Sequence, residues 1–262
     1  MHLYLHIPFC HRICPYCSFY KHTPGKTDLG AFVEAILDEA RFAAKKNLPP
    51  LKTIYFGGGT PSMLSPTHLR RLFTGLRTIL DFSAVEEVTL EANPATFTSR
   101  TAHLYEELGV TRVSLGVQSF IGKHLETLGR EHSPMQAITS VHLLREASNL
   151  EVSIDLIFSV PSQSLLDWED TLTQALALQP DHLSAYNLTY EEDTAFFEKF
   201  QTGAFQDDSN LNAEMFSLGE ELLSSAGYEH YETSNYALPG RRSRHNEGYW
   251  IGNDYLGLGP SA

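Results

Sequence analysis

Six short apolar runs separated by amphipathic stretches set the main constraint on this chain. The runs cover residues 3–7, 53–56, 87–91, 112–116, 152–158 and 183–188. They are rich in Val, Ile, Leu and Phe, as parallel strands buried on both faces should be. Between them, residues 28–45, 98–108 and 133–145 repeat apolar positions at helical spacing. Another helix is predicted to open with Ser65 as N-cap and Pro66 at its first position, with Leu69, Leu72, Phe73, Leu76 and Leu80 on one stripe. A further one opens with Ser164 and Asp167 in capping-box spacing and buries Leu165, Trp168, Leu172, Ala175 and Leu176. A late helix over 210–226, with Leu211, Met215, Leu218 and Leu222 on one side, is expected to pack outside the rest. Six βα units predict an α/β fold: an open, partial barrel rather than a closed eightfold one. Ligands of such folds gather at the carboxyl ends of the strands.

The densest chemical signal lies at the first of those ends. All three cysteines of the sequence, Cys10, Cys14 and Cys17, follow the first run with spacing C-x3-C-x2-C. Three cysteines leave one thiol out of any disulfide set and leave a tetrahedral zinc site one ligand short. They suit a [4Fe–4S] cluster in which one iron keeps no protein ligand. That iron can take the amine and carboxylate of a small molecule, such as the methionine end of S-adenosylmethionine (SAM). A zinc knuckle completed by His6, His11 or His22 is the competing reading.

Other strand ends carry further candidates. Gly57, Gly58 and Gly59, followed by Thr60 and Pro61, offer backbone with no Cβ in the way, or simply a tight turn. The third run ends in Glu91-Ala92-Asn93-Pro94, where Pro94 biases Asn93 away from helix. Glu91 there is either a hydrogen-bond acceptor for an amine or ribose hydroxyl, or a solvated loop carboxylate. Gln118 falls just past the fourth run, and Arg130 follows in Gly129-Arg130-Glu131-His132. Arg130 is suited to a bidentate fork on a carboxylate. Asp155 interrupts the fifth run; a charge there needs a partner, so it marks either ribose binding or a structural ion pair.

The stretches LYLHIPFCHRICPYC, GGGTP, EANP, SLGVQSF, GREHS and IDLIFSVP, in this order, resemble the HemN-like branch of the radical SAM superfamily over nearly the whole chain. The resemblance implies a partial (β/α)6, TIM-like radical SAM barrel, a [4Fe–4S] cluster and SAM. In that family the reduced cluster breaks the sulfonium C–S bond and releases a 5′-deoxyadenosyl radical. Carried over, the cluster ligands would be Cys10, Cys14 and Cys17. The SAM contacts would be Tyr4, Tyr16, Gly58, Gly59, Thr60, Glu91, Gln118, Arg130 and Asp155. The branch holds oxygen-independent coproporphyrinogen III dehydrogenases and heme chaperones. The dehydrogenase pattern has another cysteine two positions after the third ligand; Phe19 stands there in this chain, as in the chaperones.

The run His245-Asn246-Glu247-Gly248-Tyr249-Trp250 resembles the chaperones' HNxxYW element, associated with heme. It implies His245 as a heme ligand, with Tyr249 and Trp250 stacked on the porphyrin. Arg241, Arg242 and Arg244 would meet the propionates. The alternative is a polar loop whose aromatics cap the barrel. A heme chaperone that delivers its cargo to acceptor proteins is therefore expected, with an electron donor for the cluster; the dehydrogenase is the alternative. Residues 1–190 are expected to form the barrel and 191–262 the start of a C-terminal region that is cut short, since family members continue into a helical domain.

Composition bears on partners. The 262 residues carry a formal net charge of −13, which disfavours a phosphate backbone, so no nucleic acid is expected. No apolar run of about 18 residues appears, and no secretion signal opens the chain. A reducing cytoplasm, where thiolates stay free for metal, is the expected compartment.

Overall fold

A computed structural model of the chain describes residues 1–147 and 149–262. The first half alternates strictly: β1 (His2–Ile7), α1 (Leu29–Ala44), β2 (Thr53–Gly58), α2 (Pro66–Ile79), β3 (Glu87–Ala92), α3 (Ser99–Glu107) and β4 (Arg112–Gln118). It continues with α4 (Gly122–Thr127), α5 (Pro134–Ala147), β5 (Glu151–Phe158), α6 (Leu165–Ala177) and β6 (His182–Asn187). Then come α7 (Ala195–Gln201), α8 (Ser209–Ser225), β7 (Glu229–Glu232), β8 (Asn235–Ala237), α9 (Arg244–Trp250) and β9 (Tyr255–Leu258).

The described strands form one sheet in the order β7-β8-β6-β5-β4-β3-β2-β1-β9. From β1 to β6 each strand pairs in parallel with the next, and β1 meets β9 rather than β6. The barrel is therefore open, as the six βα units predict. The glycine-rich end of the chain supplies β9, parallel to β1. On the far side β8 extends the sheet antiparallel to β6.

Local chemistry sets the helix starts. Asp28 caps α1 by accepting from Gly30 N and Ala31 N at 2.9 and 3.0 Å. Ser65 accepts from His68 N, and Pro66 occupies the first turn of α2. Ser164 and Asp167 close the capping box of α6, with Ser164 N donating to the Asp167 carboxylate at 3.0 Å.

Contrary to the sequence expectation, the strands are not apolar on both faces. Leu3, Leu5, Ile54, Phe56, Leu90, Val113, Leu115, Val152, Ile154 and Leu183 are buried in the main core against the helices. The alternate positions Tyr55, Thr89, Glu91, Arg112, Ser114, Ser153, Asp155, His182, Ser184 and Tyr186 line a cavity inside the open barrel. The sheet is apolar on its convex face and polar on its concave one.

Helix α8 packs on α6, as expected of a late outer helix. Trp168 of α6 is fully buried, donates its indole N–H to Met215 O at 2.9 Å, and lies 5.4 Å from the Phe158 ring. Gly219 lies against the indole, where a Cβ would make an ordinary contact 3.6 Å from its Nε1. No helix among the described residues is long and apolar enough to cross a membrane. Trp168→Ala empties this joint between layers. It is expected to lower unfolding stability by about 3–5 kcal/mol in denaturant titrations; a loss under about 1 kcal/mol would show that α8 does not lean on it.

Candidate functional site

Strand β1 ends at Ile7, and the chain then turns out and back through the cysteine loop. Cys10 N donates to His22 O at 3.1 Å and His22 N to Pro8 O at 2.9 Å, which ties the two ends of the loop together. Cys17 N donates to Cys14 O at 3.2 Å and closes a turn within it. All three cysteines are free and half-buried, and all three line one cavity of about 470 Å³. Thr60 Oγ1 donates to Cys10 Sγ at 3.6 Å and Arg130 Nη1 to Cys14 Sγ at 3.7 Å. Burial pushes the Cys10 and Cys17 thiols above their ordinary range. Among the described residues, no three His, Cys, Asp or Glu side chains surround a single ion-sized point. Thiols that share a cavity without converging on one point fit a cluster, where each thiolate meets a different iron.

The glycine turn after β2 lies directly against that loop. Gly59 N donates to Ile7 O and Thr60 N to Phe9 O, both at 2.8 Å. A Cβ at Gly59 would stand 2.7 Å from the Pro8 carbonyl carbon and 2.8 Å from Phe9 O. Gly58 has φ +111°, and a Cβ there would meet the His6 ring at 2.7 Å. The glycines are thus required first by the close approach of this turn to the cysteine loop.

Glu91 and Asp155 face the same cavity from the end of β3 and the middle of β5. Glu91 accepts from the Tyr55 hydroxyl at 2.8 Å and from Gly58 N at 3.1 Å. Burial, with the nearby Asp155 charge adding to it, raises its carboxyl to about 7. Asp155 takes the Ser114 hydroxyl 3.0 Å from both of its oxygens, and burial raises it to about 6. Among the described residues it has no ion-pair partner, so the structural ion pair is not what holds it.

Arg130 is held in place by its neighbours. Its Nη2 donates to Asn93 Oδ1 and Gly116 O, each at 2.6 Å, while Nε has no hydrogen-bond partner among the described residues. Gln118 adopts φ +69° where the pairing of β4 and β5 shifts register, which ends β4 at the cavity wall. Tyr16 lines the cavity and packs 6.1 Å from the Phe196 ring. Tyr4, in register with Tyr55 on the polar face of the sheet, bonds His6 Nδ1 at 3.1 Å and stacks on Tyr55 at 6.1 Å. Of the nine residues assigned to SAM by resemblance, Tyr16, Gly58, Gly59, Thr60, Glu91, Gln118, Arg130 and Asp155 share the cavity and Tyr4 does not.

The His245 element sits at the opposite, amino-terminal ends of the strands. Helix α9 is capped by Ser243 and by Glu87, whose carboxylate accepts from Arg244 N and His245 N at 3.1 and 3.0 Å. His245 is buried, with its Nδ1 2.8 Å from the Thr53 hydroxyl and its ring 5.0 Å from Tyr55. Burial lowers its pKa to about 4, so it is neutral near pH 7. Tyr249 and Trp250 are exposed on the outer side of the helix. Arg241 pairs with Glu151, Arg242 with Glu229 and Glu247, and Arg244 with Glu86.

Sequence reasoning did not place Asn93 in the site, yet it bridges Thr60 Oγ1 at 3.0 Å and Arg130. It also passed over Ser114, Tyr55, Ser184 and Tyr186. The signal was present: β2 to β6 alternate polar and apolar residues with period two, as in Arg112-Val113-Ser114-Leu115.

The chain matches the family description of the radical SAM superfamily over residues 4–175. It is 38% identical to the heme chaperone HemW of Lactococcus lactis and 40% identical to that of Escherichia coli; each match covers 99% of this chain and 68% of the relative. It is 36% identical to a mouse mitochondrial radical S-adenosyl methionine domain-containing protein 1, over 99% of this chain and 59% of that protein. The chain thus spans about two thirds of its bacterial relatives' length. Among solved structures it superposes on coproporphyrinogen III oxidase (HemN) of Escherichia coli with TM-score 0.87 at 24% identity, over 99% of this chain and 63% of that one.

Crowding at the glycine turn can be tested directly. Gly59→Ala places a methyl against the β1 exit, where backbone cannot yield. Iron uptake on anaerobic reconstitution is expected to fall at least about tenfold relative to the parent chain. Iron content equal to that of the parent would refute the crowding argument.

The buried acid gives a pH dependence. Glu91 titrates near 7 when folded, against 4.5 for the ordinary group. Its contribution to stability is therefore full below pH 4.5, falls as pH rises toward 7, and is lost above that. The cofactor-free chain is expected to lose stability on the order of 1–3 kcal/mol between about pH 5 and 8, and Glu91→Gln to flatten that slope in denaturant titrations. A slope unchanged by the substitution would assign it to another group.

Proposed function

The chain belongs to the radical SAM superfamily, in its HemN-like branch, and from that premise we propose a protein that binds heme and passes it to acceptor proteins. Cys10, Cys14 and Cys17 are the residues that would hold the [4Fe–4S] cluster. When bound, a cluster with one iron free of protein ligands supplies an electron to the SAM sulfonium. The observation that carries this reading is the cavity shared by three free thiols, the glycine turn, Glu91, Asp155 and Arg130.

Each side chain has a task there. Gly58 and Gly59 present backbone next to the cysteine loop. Glu91, held by Tyr55 and Gly58 N, offers an acceptor to an ammonium group or a ribose hydroxyl. Asp155, oriented by Ser114, offers a second acceptor deeper in the cavity. Arg130 sets a positive charge beside Cys14, donating Nη1 to its Sγ. Its unpartnered Nε is left to meet a carboxylate.

The heme-chaperone part rests on the identity to bacterial HemW proteins over 99% of this chain. The likeness to coproporphyrinogen III oxidase is one of fold, and the thiol that marks the dehydrogenases is replaced by the exposed Phe19. A cytoplasmic setting, an electron donor and heme acceptors complete the proposal.

Anaerobic reconstitution tests it. The chain is expected to take up about four iron, and Cys14→Ala to lose most of them. With reductant and SAM, and with heme added separately, SAM cleavage and a Soret band are the paired readouts. Absent iron uptake would remove the cluster, and strong protoporphyrinogen formation from coproporphyrinogen III would favour the dehydrogenase.

A further inference from the structure

Asn93 stands just past the end of β3 and borders two spaces. It lines the main cavity with Cys14, Thr60 and Arg130, and the same four residues line a second one of about 40 Å³. Its backbone is pinned on both sides. Its N–H donates to Ser62 Oγ at 3.4 Å, and its carbonyl accepts from Thr96 Oγ1 at 2.6 Å. Ser62 and Thr96 are themselves joined by a hydrogen bond of 2.7 Å. The side-chain amide is thus presented from a fixed place.

The chemistry of its neighbours decides which way that amide points. A guanidinium only donates, so the amide oxygen must face Arg130, and it accepts from Nη2 at 2.6 Å. The amide nitrogen is then left to face Thr60, and Nδ2 donates to Thr60 Oγ1 at 3.0 Å. A hydroxyl has one proton. With its oxygen already accepting from Asn93, Thr60 directs that proton to Cys10 Sγ at 3.6 Å. At the other end, Arg130 keeps Nη1 for Cys14 Sγ at 3.7 Å.

One amide therefore orients the donors to two of the three thiols. Thr60 is 2% exposed, so water does not compete for its hydroxyl. The arrangement needs a donor and an acceptor on one short side chain. An ionised aspartate has no donor for Thr60, and a leucine has neither group.

We propose that Asn93 is a positioning residue that sets the reduction potential of a cluster held by the three thiols, acting through the hydrogen bonds of Thr60 to Cys10 and of Arg130 to Cys14. Donors aimed at the sulfurs favour the more negative, reduced form and so raise the potential. This rests on the cluster reading above and names what tunes its redox poise.

The test is a redox titration of the anaerobically reconstituted chain, without SAM, followed by EPR of the reduced cluster. Asn93→Asp keeps the side chain's size, removes the donor to Thr60 and adds a negative charge. It is expected to lower the potential by at least about 59 mV, a tenfold change in the one-electron equilibrium. Thr60→Val keeps the shape, loses the proton and is expected to shift the potential the same way, while Thr60→Ser, which keeps the hydroxyl, holds the parent value. A parent-like potential in either Asn93→Asp or Thr60→Val would overturn the proposal. Failure of both variants to take up iron would also overturn it, because Asn93 and Thr60 would then serve assembly and not tuning. No iron uptake by the parent chain would defeat the cluster reading itself, and the proposal with it.

Discussion

A row of polar side chains on the inner face of a parallel sheet is costly unless each group finds a partner. The rest of this structure depends on how that cost is met. Along β2 to β6 the convex face is apolar and buried under helices, while the concave face carries hydroxyls, carboxylates, an arginine and a histidine. The partners are mostly cross-strand neighbours: Tyr55 with Glu91, Ser114 with Asp155, and Ser153 with His182 at 2.8 Å. Leaving the barrel open at β1 and β6 keeps the space between these groups free for a ligand.

The two ends of the strands are used differently. At the carboxyl ends, the β1 exit and the glycine turn are locked by paired backbone hydrogen bonds, and the thiols hang over the cavity from that junction. At the amino ends, α9 is fastened by Glu87, Thr53 and His2, with Arg112 tying Glu151 to the carbonyls of Arg241 and Arg242. Asn246 and Ser243 reach the cavity from this side. One end is built for chemistry and the other closes the floor.

Charge follows the same division. Burial raises the carboxyls of Glu91 and Asp155, which limits repulsion between the two. A bound ammonium group would favour their ionised forms. The loop around the thiols, residues 10–27, holds three basic side chains and no acidic one within an acidic chain.

The sequence by itself determined the βα alternation, the caps at Asp28, Ser65 and Ser164, and the grouping of cysteines after the first strand. These are legible because period, caps and spacing are local. It also pointed to Glu91 near a strand end, to Asp155 as a charge inside an apolar run and to Arg130 just past the fourth run. Only the tertiary structure decided which face of each strand is wet, that Asn93 joins Thr60 to Arg130, and that His245 is buried against Thr53 at the amino ends of the strands. Those facts come from curvature and from contacts between residues as far apart as Thr53 and His245, and no local pattern encodes a distance across the barrel.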